Sequence, residues 1–158
     1  MNAHWRIMIA IGLLSILSCT GPAVDKRPAQ STDPVLDMLH QAIIELDASI
    51  EELNRHIADL QQMPRSPDPN IQELSALDLD GWQLHLQQWL LQRDHLQFAV
   101  TQIQQARANP QTKATAGNQW NARQQQFIKT FEELSSHRQQ LERKRFDVES
   151  QVIGRYFR

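Results

Sequence analysis

The segment from residue 36 to residue 60 carries an unbroken apolar repeat, and this repeat constrains the fold more than any other feature of the chain. Its apolar positions alternate at spacings of three and four residues through four heptads: Leu36, Leu39, Ile43, Leu46, Ile50, Leu53, Ile57 and Leu60. A stripe of only two apolar positions in every seven residues is typical of a helix that packs along a second helix, as in a coiled coil. Pro34 suits the first turn, with Thr32 or Asp33 as the cap. We therefore predict a helix over residues 34–63.

A proline-rich connection separates this helix from a second one. Residues 63–70 contain three prolines, which end a helix. Residues 71–79 form either a short helix or an irregular arm, because Asp80 and Gly81 are a plausible break or cap. We predict the second long helix over residues 80–108, where the apolar positions keep the heptad register.

Asn109 and Pro110 end the second helix, and a third helix is predicted over residues 119–155. Its apolar positions again fall at heptad spacing: Trp120, Phe127, Phe131, Leu134, Leu141, Val148 and Val152. Short connections between long amphipathic helices place neighbouring helices antiparallel. The predicted fold class is all-α, an elongated three-helix antiparallel bundle or coiled coil. The alternative is a longer hairpin whose third helix packs against another subunit.

Trp82, Trp89 and Trp120 fall on the predicted helix seams, and two roles are open for them. Trp82 and Trp89 lie seven residues apart, and hence on one helix face. The tryptophans either fill the core or anchor a partner, since tryptophan is frequent at the hot spots of protein interfaces. The glutamine clusters at 87–88 and 124–126 are expected on solvent-facing sides.

An apolar run near the N-terminus, residues 7–17, has the features of a secretory signal. Arg6 precedes it and supplies positive charge, and about 11 apolar residues match the length of a signal-peptide core. As a helix this run reaches only ~16 Å, against ~30 Å of bilayer hydrocarbon. It is therefore too short to span a membrane.

The run leads into the only cysteine of the chain, in the sequence Ile16-Leu17-Ser18-Cys19. This motif resembles the lipobox of bacterial lipoproteins, in which a small residue precedes an acylated cysteine. The resemblance implies a signal peptide over residues 1–18 and a lipid anchor on the thiol of Cys19. It departs from the usual pattern in having Ile16 where leucine is commonest. An ordinary signal peptide, and an uncleaved anchor or a buried cysteine, are the alternatives.

The residues that follow Cys19 bear on where the anchored domain would stand. Thr20 occupies the position at which aspartate tends to retain such lipoproteins in the inner membrane, so the resemblance favours the outer membrane. We predict that the domain faces the periplasm, and exposure at the cell surface is the alternative. Residues 19–32 contain two prolines and no apolar periodicity, which predicts a flexible tether. Fully extended, the tether would reach up to ~45 Å.

Composition and motifs argue against catalysis and against nucleic-acid binding. The formal net charge is -2, which provides no overall attraction for a polyanion. No two histidines lie three or four residues apart, the spacing that a helical metal site needs. The chain also lacks the nucleophile-elbow and phosphate-loop motifs. We predict a protein that is not an enzyme and that uses no metal or other cofactor.

The C-terminal segment mixes basic and aromatic side chains, and it is the predicted partner-binding surface. Its residues are Arg143, Lys144, Arg145, Arg155, Tyr156, Phe157 and Arg158. This combination suits anionic headgroups, a polyanionic glycan or an acidic protein partner. The alternative is a basic helix end whose charges only complement the helix dipole.

These features together predict an outer-membrane-anchored, non-enzymatic helical lipoprotein. It would act as an adaptor, pilot or scaffold in a cell-envelope assembly such as a secretion, pilus or conjugation machine. Acylated Cys19 would contact the lipid bilayer, and the helical faces would recognise a protein partner. The alternative is a periplasmic carrier that holds a small ligand or lipid in a cavity between its helices. The oligomeric state is left open.

Overall fold

The computed structural model describes residues 33–109, 111 and 113–156, without the side chains at positions 113, 114, 155 and 156. Within these residues the chain forms three α-helices and no strand: α1 (Pro34–Gln62), α2 (Pro69–Ala108) and α3 (Lys113–Tyr156). α2 packs along α1 and along α3, so the predicted all-α, elongated three-helix antiparallel bundle is confirmed. The predicted signal peptide, the tether and Cys19 lie outside the described residues.

α1 begins where the sequence predicts. Asp33 is the N-cap, because its side chain accepts a hydrogen bond from the backbone N–H of Val35 at 3.1 Å, and Pro34 occupies the first turn. Arg107, in the last turn of α2, forms an ion pair with Asp33, which places the start of α1 beside the end of α2. The buried face of α1 is the heptad stripe: Leu39, Leu46, Ile50, Leu53 and Ile57.

α2 is longer than the sequence predicts. It begins at Pro69 and runs through Gly81, so the predicted break at that glycine is absent and residues 71–79 belong to the helix. One glycine in a helix interior costs only ~1 kcal/mol relative to alanine. Leu77 and Leu84 are buried on either side of it, and the burial of each side chain is worth ~1.5–3 kcal/mol. Packing therefore outweighs the local helix-breaking tendency.

α2 lies at the centre of the bundle and packs against its two neighbours on nearly opposite sides. On the α1 side, Arg93 forms an ion pair with Asp47 at 3.6 Å. On the α3 side, the Gln88 amide donates a hydrogen bond to the Ser135 hydroxyl at 3.1 Å. At 3.6 residues per turn, Arg93 and Gln88 project roughly 140° apart around α2. α1 and α3 consequently make little contact with each other.

The main apolar cluster lies towards the end of the bundle where α1 begins, which we refer to as the proximal end. Its buried members are Leu39, Leu46, Ile50, Leu96, Ala99 and Val100. Trp89 and Trp120 are half-buried and pack against this cluster, so all three helices meet here. The opposite end, which holds the connection between α1 and α2, is the distal end.

Two further features differ from what the sequence predicts. α3 begins at Lys113 rather than near residue 119. Gln88, expected on a solvent-facing side, is buried, as are Gln92 and Gln102 of the same helix. The reason is that α2 packs against two helices. Positions that would face solvent if α2 packed against α1 alone are covered by α3 instead.

Candidate docking groove

A groove runs between α2 and α3 through the distal half of the bundle. One part has a volume of about 540 Å³ and the adjoining part about 290 Å³. His85, Arg138 and Glu142 line both parts, so the two form one continuous groove. Along α2 the groove extends from Leu77 to Gln92, which is ~22 Å, or about four helical turns.

The floor of the groove is a row of indole and imidazole rings. Trp82 meets His56 of α1 edge to face, with ring centroids 4.9 Å apart, although the residues that line the groove all belong to α2 and α3. His85 lies 6.2 Å from Trp82 and 4.5 Å from Trp89, measured between ring centroids. Trp82 is 40% exposed, whereas Trp89 is half-buried. Of the groove tryptophans, Trp82 thus offers the more accessible surface.

The α3 wall of the groove carries charged side chains whose positions are fixed by polar contacts. Arg145 reaches Asp78 of α2, with Nε 2.7 Å from Oδ1. Arg138 forms an ion pair with Glu142 at 3.0 Å, and its Nη1 lies 3.3 Å from Nδ1 of His85. Exposed ion pairs add little to stability. Their effect here is to hold the charged groups at the rim of the groove.

Two carboxylates of α1 flank the residue that contacts Trp82. Glu52 and Asp59 lie four residues before and three residues after His56, and therefore on the same side of α1 as the ring that contacts Trp82. Both carboxylates are exposed, and neither takes part in an ion pair among the described residues. Arg55 is also exposed and lies three residues after Glu52 and four before Asp59, so a cation of the same helix accompanies the two carboxylates.

Most of the large apolar side chains that stay exposed in the described residues lie in the distal half of the bundle. They are Met63, Ile71, Trp82, Phe146 and Ile153, with exposed fractions between 37% and 68%. Phe146 and Ile153 are seven residues apart, so they share one side of α3. Exposed apolar surface rimmed by polar residues is a mark of an interaction site.

The C-terminal residues predicted to bind a partner fall into two groups. Arg145 lines the groove, Lys144 forms an ion pair with Glu73 at 3.5 Å, and Arg143 is exposed. The side chains of the others lie outside the described residues: Arg155, Tyr156, Phe157 and Arg158. Of the predicted residues, the structure brings Arg145 into the groove.

His95 of α2 is buried in the contact with α3, away from the groove. Its ring centroid lies 4.9 Å from that of Trp120 and 4.3 Å from that of Phe127. Burial, and to a smaller extent the positive charge of Arg123, lower the pKa of His95 to about 4. At neutral pH the ring is uncharged, and its role is to pack α2 against α3.

The sequence does not predict the groove. One of its lining residues, Gly81, is interpreted from the sequence as a helix break, but it lies within α2 and lines the groove. A Cβ atom added to Gly81 would meet no other atom within 4 Å, so the space beside it is open. The same holds for Gly117 and Gly154, so open space does not distinguish Gly81 from the other described glycines.

The described residues contain no group of three or more His, Cys, Asp or Glu side chains placed to hold a metal ion. None of their helices combines the length and the apolar character that a membrane span needs. Comparison with protein-family models, with curated proteins and with solved structures finds no match to this chain. The class that the fold and the site define is a three-helix bundle with an open, aromatic-floored groove.

Proposed function

We propose that this chain is an outer-membrane-anchored lipoprotein whose bundle acts as a non-enzymatic adaptor, pilot or scaffold in a cell-envelope assembly such as a secretion, pilus or conjugation machine. The observation that supports this most is the open groove in the distal half, with its aromatic floor and charged borders. Tryptophan and arginine side chains contribute most of the binding energy at many protein interfaces. The groove therefore suits the recognition of a protein segment.

The order of the elements also fits an anchored adaptor. Asp33, at the proximal end, is the first described residue after the proposed anchor at Cys19. From there α1 runs 29 residues to the distal end, a length of ~43 Å. An anchor that confines the bundle to a thin layer at the membrane raises the effective concentration of the groove for partners in that layer.

A carrier of a small ligand or lipid is the second candidate, because a volume of about 540 Å³ is typical of small-molecule sites. The lining argues against an apolar ligand, since it includes four charged side chains: Asp78, Arg138, Glu142 and Arg145. An acyl chain seated there would remove these groups from water without replacing their hydrogen bonds, which is costly. We therefore favour the adaptor.

The anchor is tested by replacing its attachment point. We expect the native chain in the outer-membrane fraction, with the mass of acyl chains at Cys19 and without residues 1–18. Cys19→Ala removes the thiol and should leave the chain outside that fraction or as an uncut precursor. A Cys19→Ala chain that still fractionates with the outer membrane, or an exported chain with an unmodified Cys19, would contradict the proposal.

The adaptor role is tested by photo-crosslinking in intact cells. A photoreactive amino acid at Gln139, an exposed residue that lines the groove, is expected to form an adduct with an envelope protein. Gln125 is the matched control, because it is an exposed glutamine of α3 that does not line the groove. The adduct at 139 should disappear when Cys19→Ala is added. Equal yields at both positions would show that the groove is not the docking surface.

A further inference from the structure

The two interfaces of α2 differ in their chemistry. Its contact with α1 contains Leu96 and Val100, whereas its contact with α3 contains glutamine and histidine side chains. We propose that α3 is a releasable helix, which separates from α2 while α1 and α2 stay packed, and that acid promotes this release through protonation of His95. Because α3 supplies one wall of the groove, its release also takes the groove apart. This inference goes beyond the proposed adaptor function and does not rest on it.

A polar stripe of α2 forms much of its contact with α3. Gln88, Gln92, His95 and Gln102 are buried, and their spacings of four, three and seven residues place them on one side of the helix. Gln88 donates a hydrogen bond to the hydroxyl of Ser135. The side-chain oxygens of Gln92 and Gln102 and both ring nitrogens of His95 have no hydrogen-bond partner among the described residues. Water can reach these groups when α3 leaves, so their burial opposes docking.

α3 is less deeply packed than α1. Of its described side chains only Val148 is buried, whereas the shorter α1 buries five. Trp120 and Phe127 are half-buried, and their ring centroids lie 4.9 and 4.3 Å from that of His95. The ion pairs that join α3 to α2 in the distal half are exposed and add little to stability. His95 therefore lies at the centre of the contact by which the proximal half of α3 docks.

The surroundings of His95 disfavour a charge on its ring. Beside it lies a void of about 30 Å³, whose one charged lining residue in the described chain is Arg123 of α3. Arg93 of α2 projects ~160° away from His95 around the helix, and there it pairs with Asp47 of α1 and with the adjacent Asp94. Burial and the charge of Arg123 lower the pKa of His95 to about 4. Protonation consequently favours the released state, in which water surrounds the ring.

A second histidine of α2 contacts α3 and provides an internal control. Nδ1 of His85 lies 3.3 Å from Nη1 of Arg138, so protonation of His85 would place two cations together. His85 is half-buried and Arg138 is exposed, so water reaches this pair. Electrostatic interactions are weaker in such surroundings than in a buried site. We therefore expect His85 to contribute less to the release than His95.

Amide hydrogen exchange of the full chain, followed by mass spectrometry between pH 8 and pH 5, tests the release. A helix that loses its packing surface is marginally stable in water, so the amides of released α3 exchange. After correction for intrinsic rates, the opening constant of central α3 should exceed that of central α1 at least roughly tenfold at each pH. It should also rise roughly thirtyfold from pH 8 to pH 5, because the pKa of His95 is about 4 when docked and 6.5 ordinarily.

Two variants identify the group that responds to acid. His95→Phe keeps an aromatic ring between α2 and α3 but cannot be protonated, so the rise of the α3 opening constant with acid should disappear. His85→Gln is the matched control, because it also replaces an α2 histidine that contacts α3. This variant should keep most of the rise. Circular dichroism at pH 8 checks that both variants are helical.

Two results would overturn the inference. Equal opening constants for α1 and α3 at every pH would show that the bundle opens as one unit. A rise with acid in His95→Phe as large as that in the native chain would assign the response to another group. Neither measurement requires a lipid anchor or a partner, so the outcome does not depend on the proposed adaptor function.

Discussion

The imidazole ring of His95 is stacked against the phenyl ring of Phe127, with the two centroids 4.3 Å apart and the planes inclined by 20°. This contact joins α2 to α3 in a region from which water is excluded, since His95 is only 2% exposed. Neither ring nitrogen has a hydrogen-bond partner among the described residues. Such an environment disfavours the charged imidazolium.

The first prediction concerns acid stability. The pKa of His95 is about 4 in the folded chain against 6.5 ordinarily, so below pH 6.5 the unfolded chain binds a proton that the folded chain does not. The free energy of unfolding should therefore fall as the pH drops from 6.5 to about 4 and lose ~3 kcal/mol through this group. His95→Phe keeps the aromatic stack and removes the effect. Urea unfolding at several pH values measures the free energy of unfolding of both chains. That of His95→Phe should fall less than that of the native chain as the pH decreases. An equal fall in both chains would contradict a buried, neutral His95.

The second prediction concerns the proximal core. Leu39 has no exposed surface, and Leu39→Ala should lower the free energy of unfolding by ~2–5 kcal/mol through lost burial and a new cavity. Ile44→Ala is the control on the same helix, because Ile44 is 61% exposed and should change stability by no more than ~0.5 kcal/mol. Urea denaturation measures both. Similar losses in the two variants would mean that α1 is packed differently.

The third prediction separates two roles of Asp33. Its side chain caps α1 through the N–H of Val35 and also forms an ion pair with Arg107. Asp33→Asn retains the cap and loses the ion pair, whereas Asp33→Ala loses both. The Asp33 side chain is only 13% exposed, so its ion pair is partly buried. Because a cap is worth ~0.5–2 kcal/mol and the ion pair adds a separate contribution, we expect thermal unfolding to rank native, Asn and Ala in falling stability. An Asn variant as unstable as the Ala variant would assign the whole effect to the ion pair.

The fourth prediction asks whether the fold needs Gly81. With open space around the position, Gly81→Ala should raise the free energy of unfolding by ~0.5–1 kcal/mol, through helix propensity alone. Gly117→Ala, the control on α3, should do the same. A destabilised Gly81→Ala would show that the chain itself requires the glycine and would contradict the open space beside it.

α1 could be predicted almost to the residue, because its two-in-seven stripe and Pro34 specify one buried face and one start. The buried face of α2 is harder to predict, because this helix is buried on two sides. Several of its buried residues are polar, namely three glutamines and His95, and a search for apolar periodicity does not detect them. Gln88 is buried because α3 supplies Ser135 as a hydrogen-bond partner. A partner so distant in sequence is not visible in a local pattern.

The groove could not be predicted, for a different physical reason. Heptad positions show which faces of each helix are apolar, but they do not specify the angle between two neighbours around a shared helix. That angle depends on which side chains interlock across each interface, and here it places α1 and α3 far apart around α2. The charged and aromatic lining of the groove follows from the angle.

The separate packing of α1 and α3 on α2 also bears on the order in which the chain folds. Nearly all tertiary contacts join a helix to its neighbour in sequence, and this low contact order favours folding within microseconds to milliseconds. Most of the interface between α1 and α2 is available once Ala108 has emerged, and Trp120 of α3 packs against its core cluster later. For a chain that emerges N-terminus first, we expect this pair to assemble early and α3 to dock afterwards, so that the groove is the last feature of the molecule to form.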